Sequence, residues 1–121
     1  INAHQTICGV TPENDATSQL IFRDNLQPMI RDKHVLILTA SVTTGISVRK
    51  AMECVQYYGG TVAGACGIFS ACPEVGGVAI QSIFGPEDIS GYATYPAHDC
   101  PLCKQKAKLE ALVNSYGYSK L

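Results

Sequence analysis

The chain has 121 residues and 12.9 kDa, enough for one modest domain, with 9 Lys+Arg against 10 Asp+Glu and a net charge of −1. That charge removes the electrostatic basis for non-specific nucleic-acid binding, and no apolar run reaches the ~18 residues of a membrane span. Charged residues make up 16% of the chain, below the roughly 25% of average domains, while 46% are apolar. This excludes disorder and predicts some apolar surface against a partner. The first residues, INAHQTIC, are too polar for a signal peptide. The chain opens on Ile1 without a methionine, so a processed piece is one expectation.

Residues 1–121 read as a single domain: a loop-rich entry segment over 1–34, a core over 35–84, and an extended segment with a terminal helix over 85–121. In chain order, Gln5–Val10 is a candidate short strand, Thr11–Gln19 a polar loop, and Leu20–Phe22 an apolar patch before a turn at Pro28. Val35–Thr39, a β-branched and leucine run flanked by charges, predicts a strand buried on both faces, as in parallel sheets. Ala40–Gly45 is a small-residue loop. From Ser47 a helix is predicted, with Val48, Ala51, Met52, Val55 and Tyr58 on its apolar face. Arg49, Lys50, Glu53 and Gln56 fall on the other. Gly59-Gly60 supplies the stop.

Thr61–Phe69 reads as a second strand, completing a βαβ unit with the right-handed crossover such units adopt. Ser70–Gly77 is a loop, Val78–Phe84 a third strand, and Gly85–Cys103 an irregular surface segment. Lys104–Tyr116 carries Leu109, Leu112, Val113 and Tyr116 at helical spacing, predicting a final helix stopped by Gly117. Cysteines stand at 8, 54, 66, 72, 100 and 103. Cys54 falls in the helical pattern and Cys66 in a strand, where free thiols behave as small hydrophobes. Reduced cysteines and a cytoplasmic location are therefore expected.

In open α/β sheets ligands bind where strands end and helices begin. The loop there with matching chemistry is Thr39–Ser47, TASVTTGIS. Gly45 permits a close turn, the peptide N–H groups at the helix start can meet an anion, and Thr43, Thr44 and Ser47 add hydroxyls. The combination suits a phosphate monoester, although no Walker loop is present. The alternative is an ordinary Ser/Thr/Gly helix cap.

The stretch VLILTASVTTGISVRKAMECVQYYGG resembles the phosphoribosyl-diphosphate-binding motif of type I phosphoribosyltransferases. The tail, CPLCK followed by ALVNSYGYSKL, is similar to the C-terminal end of bacterial orotate phosphoribosyltransferases. The resemblance implies a three-layer α/β fold with a Rossmann-like, mostly parallel sheet, shortened relative to the family. It implies that Thr43, Thr44, Gly45 and Ser47 cradle a 5′-phosphate, with Ser41 and Val42 contributing backbone. The implied activity is transfer of ribose 5-phosphate from phosphoribosyl diphosphate (PRPP) to orotate, assisted by Mg²⁺, in pyrimidine nucleotide synthesis by a homodimer. The implied ligands are PRPP or a nucleoside 5′-monophosphate.

Two departures accompany the resemblance. The family's two acids, which face the ribose hydroxyls, are replaced by Thr39 and Ala40. Positioned electrostatic groups contribute on the order of 3–4 kcal/mol each to a transition state, so turnover is expected to fall by several powers of ten while phosphate binding survives. A non-catalytic nucleotide-binding or sugar-phosphate-binding module, or partner subunit, is thus the competing reading. Only about 34 residues precede the motif, so the family's first half is lost, supplied by another chain, or outside this sequence. His4, Arg23 and Lys33 are the candidate basic residues of that region, and Arg49 is expected to face solvent.

His98-Asp99-Cys100-Pro101-Leu102-Cys103 holds one CxxC. A structural turn, a metal site completed by Cys8, Cys66, Cys72 or His34, and a redox pair are the readings, in that order. No metal is assigned. Tyr57 and Tyr58 read as helix residues, Tyr58 in the core. Tyr92 and Tyr95 are candidates for lining a pocket or a contact. Glu87 and Asp88 lie near the third strand's end, where the family recognises its base.

Overall fold

The structure is a computed structural model describing residue 4, residues 6–114 and residues 116–121, without the side chain of Ala97. Two two-residue strands open it, β1 (Glu13–Asn14) and β2 (Leu20–Ile21), paired antiparallel. The Asp15 carboxylate closes their turn by accepting the backbone N–H groups of Thr17 and Gln19, each at 2.8 Å. Residues 6–10 form no strand, and Gln5 lies outside the described residues. Pro28 sits in a single 3₁₀ turn over Gln27–Met29, which delivers Ile30 to the core.

The central unit is β3 (His34–Val42), α1 (Ile46–Tyr57) and β4 (Thr61–Ser70), with β3 and β4 parallel. β5 (Glu74–Val75) is short, and β6 (Val78–Phe84) runs parallel to β4. The strand order is β3-β4-β6-β5. Ser70–Gly77, expected as a loop, therefore contains an edge strand, and because β5 pairs antiparallel with β6 the sheet is mixed.

Helix α1 follows its predicted periodicity. Val48, Met52 and Val55 are buried, and Arg49, Lys50, Glu53 and Gln56 are exposed. Fully burying such a side chain stabilises by about 1.5–3 kcal/mol. The N-terminal half of α1 packs with Ile37, Val42, Ala65, Val75 and Ile80, and its C-terminal half packs Cys54 and Val55 with Phe22 and Ile30. Gly59, at φ 79°, provides the left-handed exit. The entry segment is thus a clamp on the end of α1 as well as a loop.

Two expectations change. The parallel sheet is covered on one face only among the described residues, giving two layers where three were expected. Register places Leu36 and Leu38 on the far face with Cys66 and, by alternation, Ile68 and Ile83. These aliphatic residues are 52%, 74%, 55% and 73% exposed. The apolar runs predicted burial on both faces because a run records affinity for a second layer and not its presence.

The second change is at the C-terminus. The helix expected over Lys104–Tyr116 is instead a four-residue α2 (Pro101–Lys104) followed by a hairpin, β7 (Ala111–Asn114) with β8 (Gly117–Lys120). Lys106, at φ 55°, breaks the helix, and the Ala107 N–H closes it by donating to the Leu102 carbonyl at 2.9 Å. The Asn114 side-chain oxygen accepts the Tyr116 N–H at 2.9 Å and shapes the hairpin turn. Leu109, Leu112, Val113 and Tyr116 fit a helical stripe but are all exposed, so no core rewards that conformation.

Candidate phosphate-binding loop

Parallel pairing brings the C-terminal ends of β3, β4 and β6 to one edge, and α1 begins there. The turn between β3 and α1 is three residues, Thr43, Thr44 and Gly45. Gly45 occupies the helix N-cap at φ 76°, ψ −2°, a left-handed conformation that a side chain strains. It is also buried, and a Cβ there would stand 2.5 Å from Cγ2 of Val75 on β5. Two constraints therefore fix glycine at this position.

No side chain caps α1. Among the described residues the backbone N–H groups of Thr43 to Val48 have no acceptor, the first helical bond being Arg49 N–H to the Gly45 carbonyl at 2.9 Å. Thr43, Thr44 and Ser47 are exposed, as is Ser41, whereas Val42 is buried and its carbonyl accepts the Ala71 N–H at 2.8 Å. The result is a row of acceptor-free peptide donors at a helix start, with the exposed residues Thr43, Thr44, Ile46 and Ser47 among them, where the partial positive end of the helix favours an anion. The loop's own side chains carry no charge.

A turn after β4 supports the loop. Ser70, buried, donates its hydroxyl to the Cys72 carbonyl at 2.6 Å, and the Cys72 thiol reaches the Thr43 carbonyl at 3.0 Å. Cys72 also lines a hollow of about 370 Å³ at the ends of β4 and β6, which reaches Glu87 and Asp88. Asp88 has one carboxylate oxygen accepting the Gly85 N–H at 2.8 Å. A larger hollow of about 570 Å³ lies over β2 and the outer side of α1, with Lys50, Glu53 and Tyr57. Neither hollow is lined by a residue of the β3–α1 loop; the smaller one adjoins the loop's support through Ser70 and Cys72. Sequence reasoning missed Ser70 and Val75 because neither carries a periodic or motif signal.

The other candidates scatter. Thr39 is half-buried and its hydroxyl donates to the Ser41 carbonyl at 3.3 Å, while Ala40 is exposed. Arg49 is exposed on α1. Arg23 pairs with Glu13 at 2.7 Å, which holds the Glu13 carboxyl below its usual range. Lys33 precedes β3, roughly 30 Å along the strand from the loop, and His4 is exposed. Cys8 is exposed, Cys66 lies in the sheet and Cys72 at the loop, so they do not join Cys100 and Cys103. Among the described residues no three metal-ligating side chains gather. A bound Mg²⁺ accordingly finds no protein ligand set at the loop, where Thr39 and Ala40 stand in the family's acidic positions.

Tyr58 packs edge-on against Phe22 at 5.6 Å as a core residue, and Tyr57 is exposed. Tyr92 packs on Phe69 at 4.8 Å, and its hydroxyl is buried with no partner among the described residues, while Tyr95 is exposed. Tyr92→Phe is therefore expected to stabilise the fold by about 1 kcal/mol, read as a higher urea midpoint, because it removes an unsatisfied polar atom and keeps the ring.

The βαβ unit and the added strands make this an α/β fold with a mixed, mainly parallel sheet, compatible with a Rossmann-like fold. Over 77 residues the chain is 39% identical to orotate phosphoribosyltransferase of Pelotomaculum thermopropionicum (strain DSM 13744 / JCM 10971 / SI). The match takes in 60% of this chain and 37% of that protein, and it supports a phosphoribosyltransferase-like relationship. The chain thus spans little more than a third of the length of the curated relative it matches. No family model matches it. No helix among the described residues is long and apolar enough to cross a membrane.

Proposed function

We propose that the β3–α1 loop binds the 5′-phosphate of a phosphoribosyl compound, PRPP or a nucleoside 5′-monophosphate. On this reading the chain carries the phosphate-binding part of an orotate phosphoribosyltransferase-like protein. The observation that carries it is the run of acceptor-free N–H groups from Thr43 to Val48 on a turn that demands Gly45. Peptide donors take the phosphate oxygens, the hydroxyls of Thr43, Thr44 and Ser47 add contacts, and Ser41 and Val42 supply the backbone leading in. The ribose then lies toward Thr39 and Ala40, and the base toward the hollow that reaches Glu87 and Asp88.

In the full reaction ribose 5-phosphate passes to orotate as pyrophosphate leaves C1, where positive charge develops. Neither Thr39 nor Ala40 offers a charge to offset it, and no step is assigned to Mg²⁺ because the loop lacks ligands for it. A homodimer belongs to the same proposal. The Thr39-Ala40 pair favours a second reading, in which the chain binds the phosphorylated sugar without turning it over.

Titration calorimetry with a pyrimidine nucleoside 5′-monophosphate, against the unphosphorylated nucleoside, tests the binding. Wild type should bind the monophosphate alone. Thr44→Val should weaken it by about 10-fold or more, the worth of one hydrogen bond to a charged group. No heat at millimolar monophosphate overturns both readings. Pyrophosphate release from PRPP and orotate then separates them, since turnover supports the transferase and binding without turnover supports the module.

A further inference from the structure

We propose that Cys100 and Cys103 are a reversible dithiol–disulfide pair that exchanges with low-molecular-weight disulfides, Cys100 attacking and Cys103 resolving. Cys100 is the residue at which α2 begins, Pro101 follows it, and Cys103 stands three residues on, across one turn. Residues so spaced lie about 5–6 Å apart at Cβ, and disulfides join Cα atoms about 4–7 Å apart, so the bond closes with small adjustment. The Lys104 N–H closes that turn by donating to the Cys100 carbonyl at 3.1 Å, which holds both cysteines on one turn. The two thiols therefore share one turn, and their roles are unequal. The Cys103 peptide N–H first, then the Cys103 thiol and the Leu102 N–H, favour the Cys100 thiolate and pull the thiol below its usual range, while the Cys100 sulfur pushes Cys103 up.

The surroundings agree with exchange. Cys103 is exposed and Cys100 half-buried, in a segment outside α1 and the sheet strands of the chain. The neighbouring Asp99 carboxylate is paired with Lys104. Cys54 is the contrast: buried, raised by desolvation, its thiol donating to the Leu20 carbonyl at 3.3 Å.

The exchange balances. The Cys100 thiolate attacks one sulfur of RSSR, forming the Cys100–SR bond and expelling RS⁻. Cys103 then gives up its proton and attacks the Cys100 sulfur, expelling the second RS⁻. The protein loses two electrons and two protons, and RSSR becomes two RSH.

The test uses the full chain with glutathione disulfide as probe, followed by iodoacetamide and cleavage at Asp99. This releases a peptide whose only cysteines are Cys100 and Cys103. The expected result is loss of both alkylatable thiols from that peptide, an internal disulfide by mass, and reversal by excess reduced glutathione. Cys103→Ser should stop with one glutathionyl group on Cys100, and Cys100→Ser should react about 10-fold more slowly. Retention of both free thiols, a separate glutathionyl group on each, equal rates in the two variants, or alkylation that appears only after a chelator is added would each overturn the proposal. None of these readouts involves the phosphate loop, so they stand or fall apart from the proposed function.

Discussion

Gly45→Val is expected to abolish nucleoside monophosphate binding and to destabilise the fold by about 3 kcal/mol or more. Two separable penalties add. A β-branched residue at φ 76° is strained by its own backbone, and its Cβ meets Val75 Cγ2 at 2.5 Å. Either the loop refolds to a negative φ, swinging the Thr43–Val48 donors out of register, or β5 is pushed from the sheet edge. The milder Gly45→Ala separates these contributions. Combined with Val75→Ala it should recover about 1 kcal/mol of the loss, the steric part, and leave the backbone part. Urea melts of the single and double variants give the coupling energy. A coupling of zero sinks the packing argument, and monophosphate binding preserved in Gly45→Val sinks the loop as the phosphate site.

Ile30→Ala is expected to cost about 3–4 kcal/mol, within the range for emptying a large buried aliphatic site. Ile30 is 1% exposed and packs with Phe22, Cys54 and Val55 beneath the C-terminal half of α1. The site cannot collapse readily, because Gly60 already abuts it: a Cβ on Gly60 would stand 2.9 Å from the Ile30 Cγ2. A loss of that size consumes a large part of the 5–15 kcal/mol typical of a domain. The phosphate loop lies at the other end of α1, so monophosphate affinity measured where the variant is still folded should be unchanged. A loss below about 1 kcal/mol would mean that the entry segment does not clamp the helix as the packing indicates.

Much of the central unit was legible in the chain. Val78–Phe84 begins and ends where its apolar run does, and α1 starts one residue before Ser47. The stripe of Val48, Met52 and Val55 could face only a core, and Gly59-Gly60 could only end a helix. The loop between strand and helix was legible for the same local reason: a small-residue segment with a glycine before a helix start has few conformations available. Its candidate residues were therefore named from sequence, and the structure adds the exposure of Ser41, Thr43, Thr44 and Ser47, the burial of Val42 and Gly45, and the open peptide donors.

The C-terminal segment was misread because its signal is shared. Leu109, Leu112, Val113 and Tyr116 satisfy a helical period, yet Lys106 in a left-handed conformation and the Asn114 turn direct the chain into a hairpin. Amphipathic spacing stabilises a helix only when its stripe meets a partner, and these side chains meet none among the described residues.

Sequence alone determined what neighbouring residues decide: where the helix α1 and the three long strands lie, where glycine must stand, and which residues can offer an anion hydroxyls and peptide hydrogens. Even so, β3 runs on through residues 40–42, which read as loop. Tertiary structure alone decided what distant residues share. It set Val75 against Gly45 and hung the loop on the Ser70–Cys72 turn. It made Ile30 the most buried side chain of a segment that reads as loop, and left Leu36, Leu38, Ile68 and Ile83 uncovered. The physical reason is range. Backbone conformation and periodicity are fixed within a few residues, whereas burial belongs to a pair of surfaces, and the second surface is chosen by the whole chain.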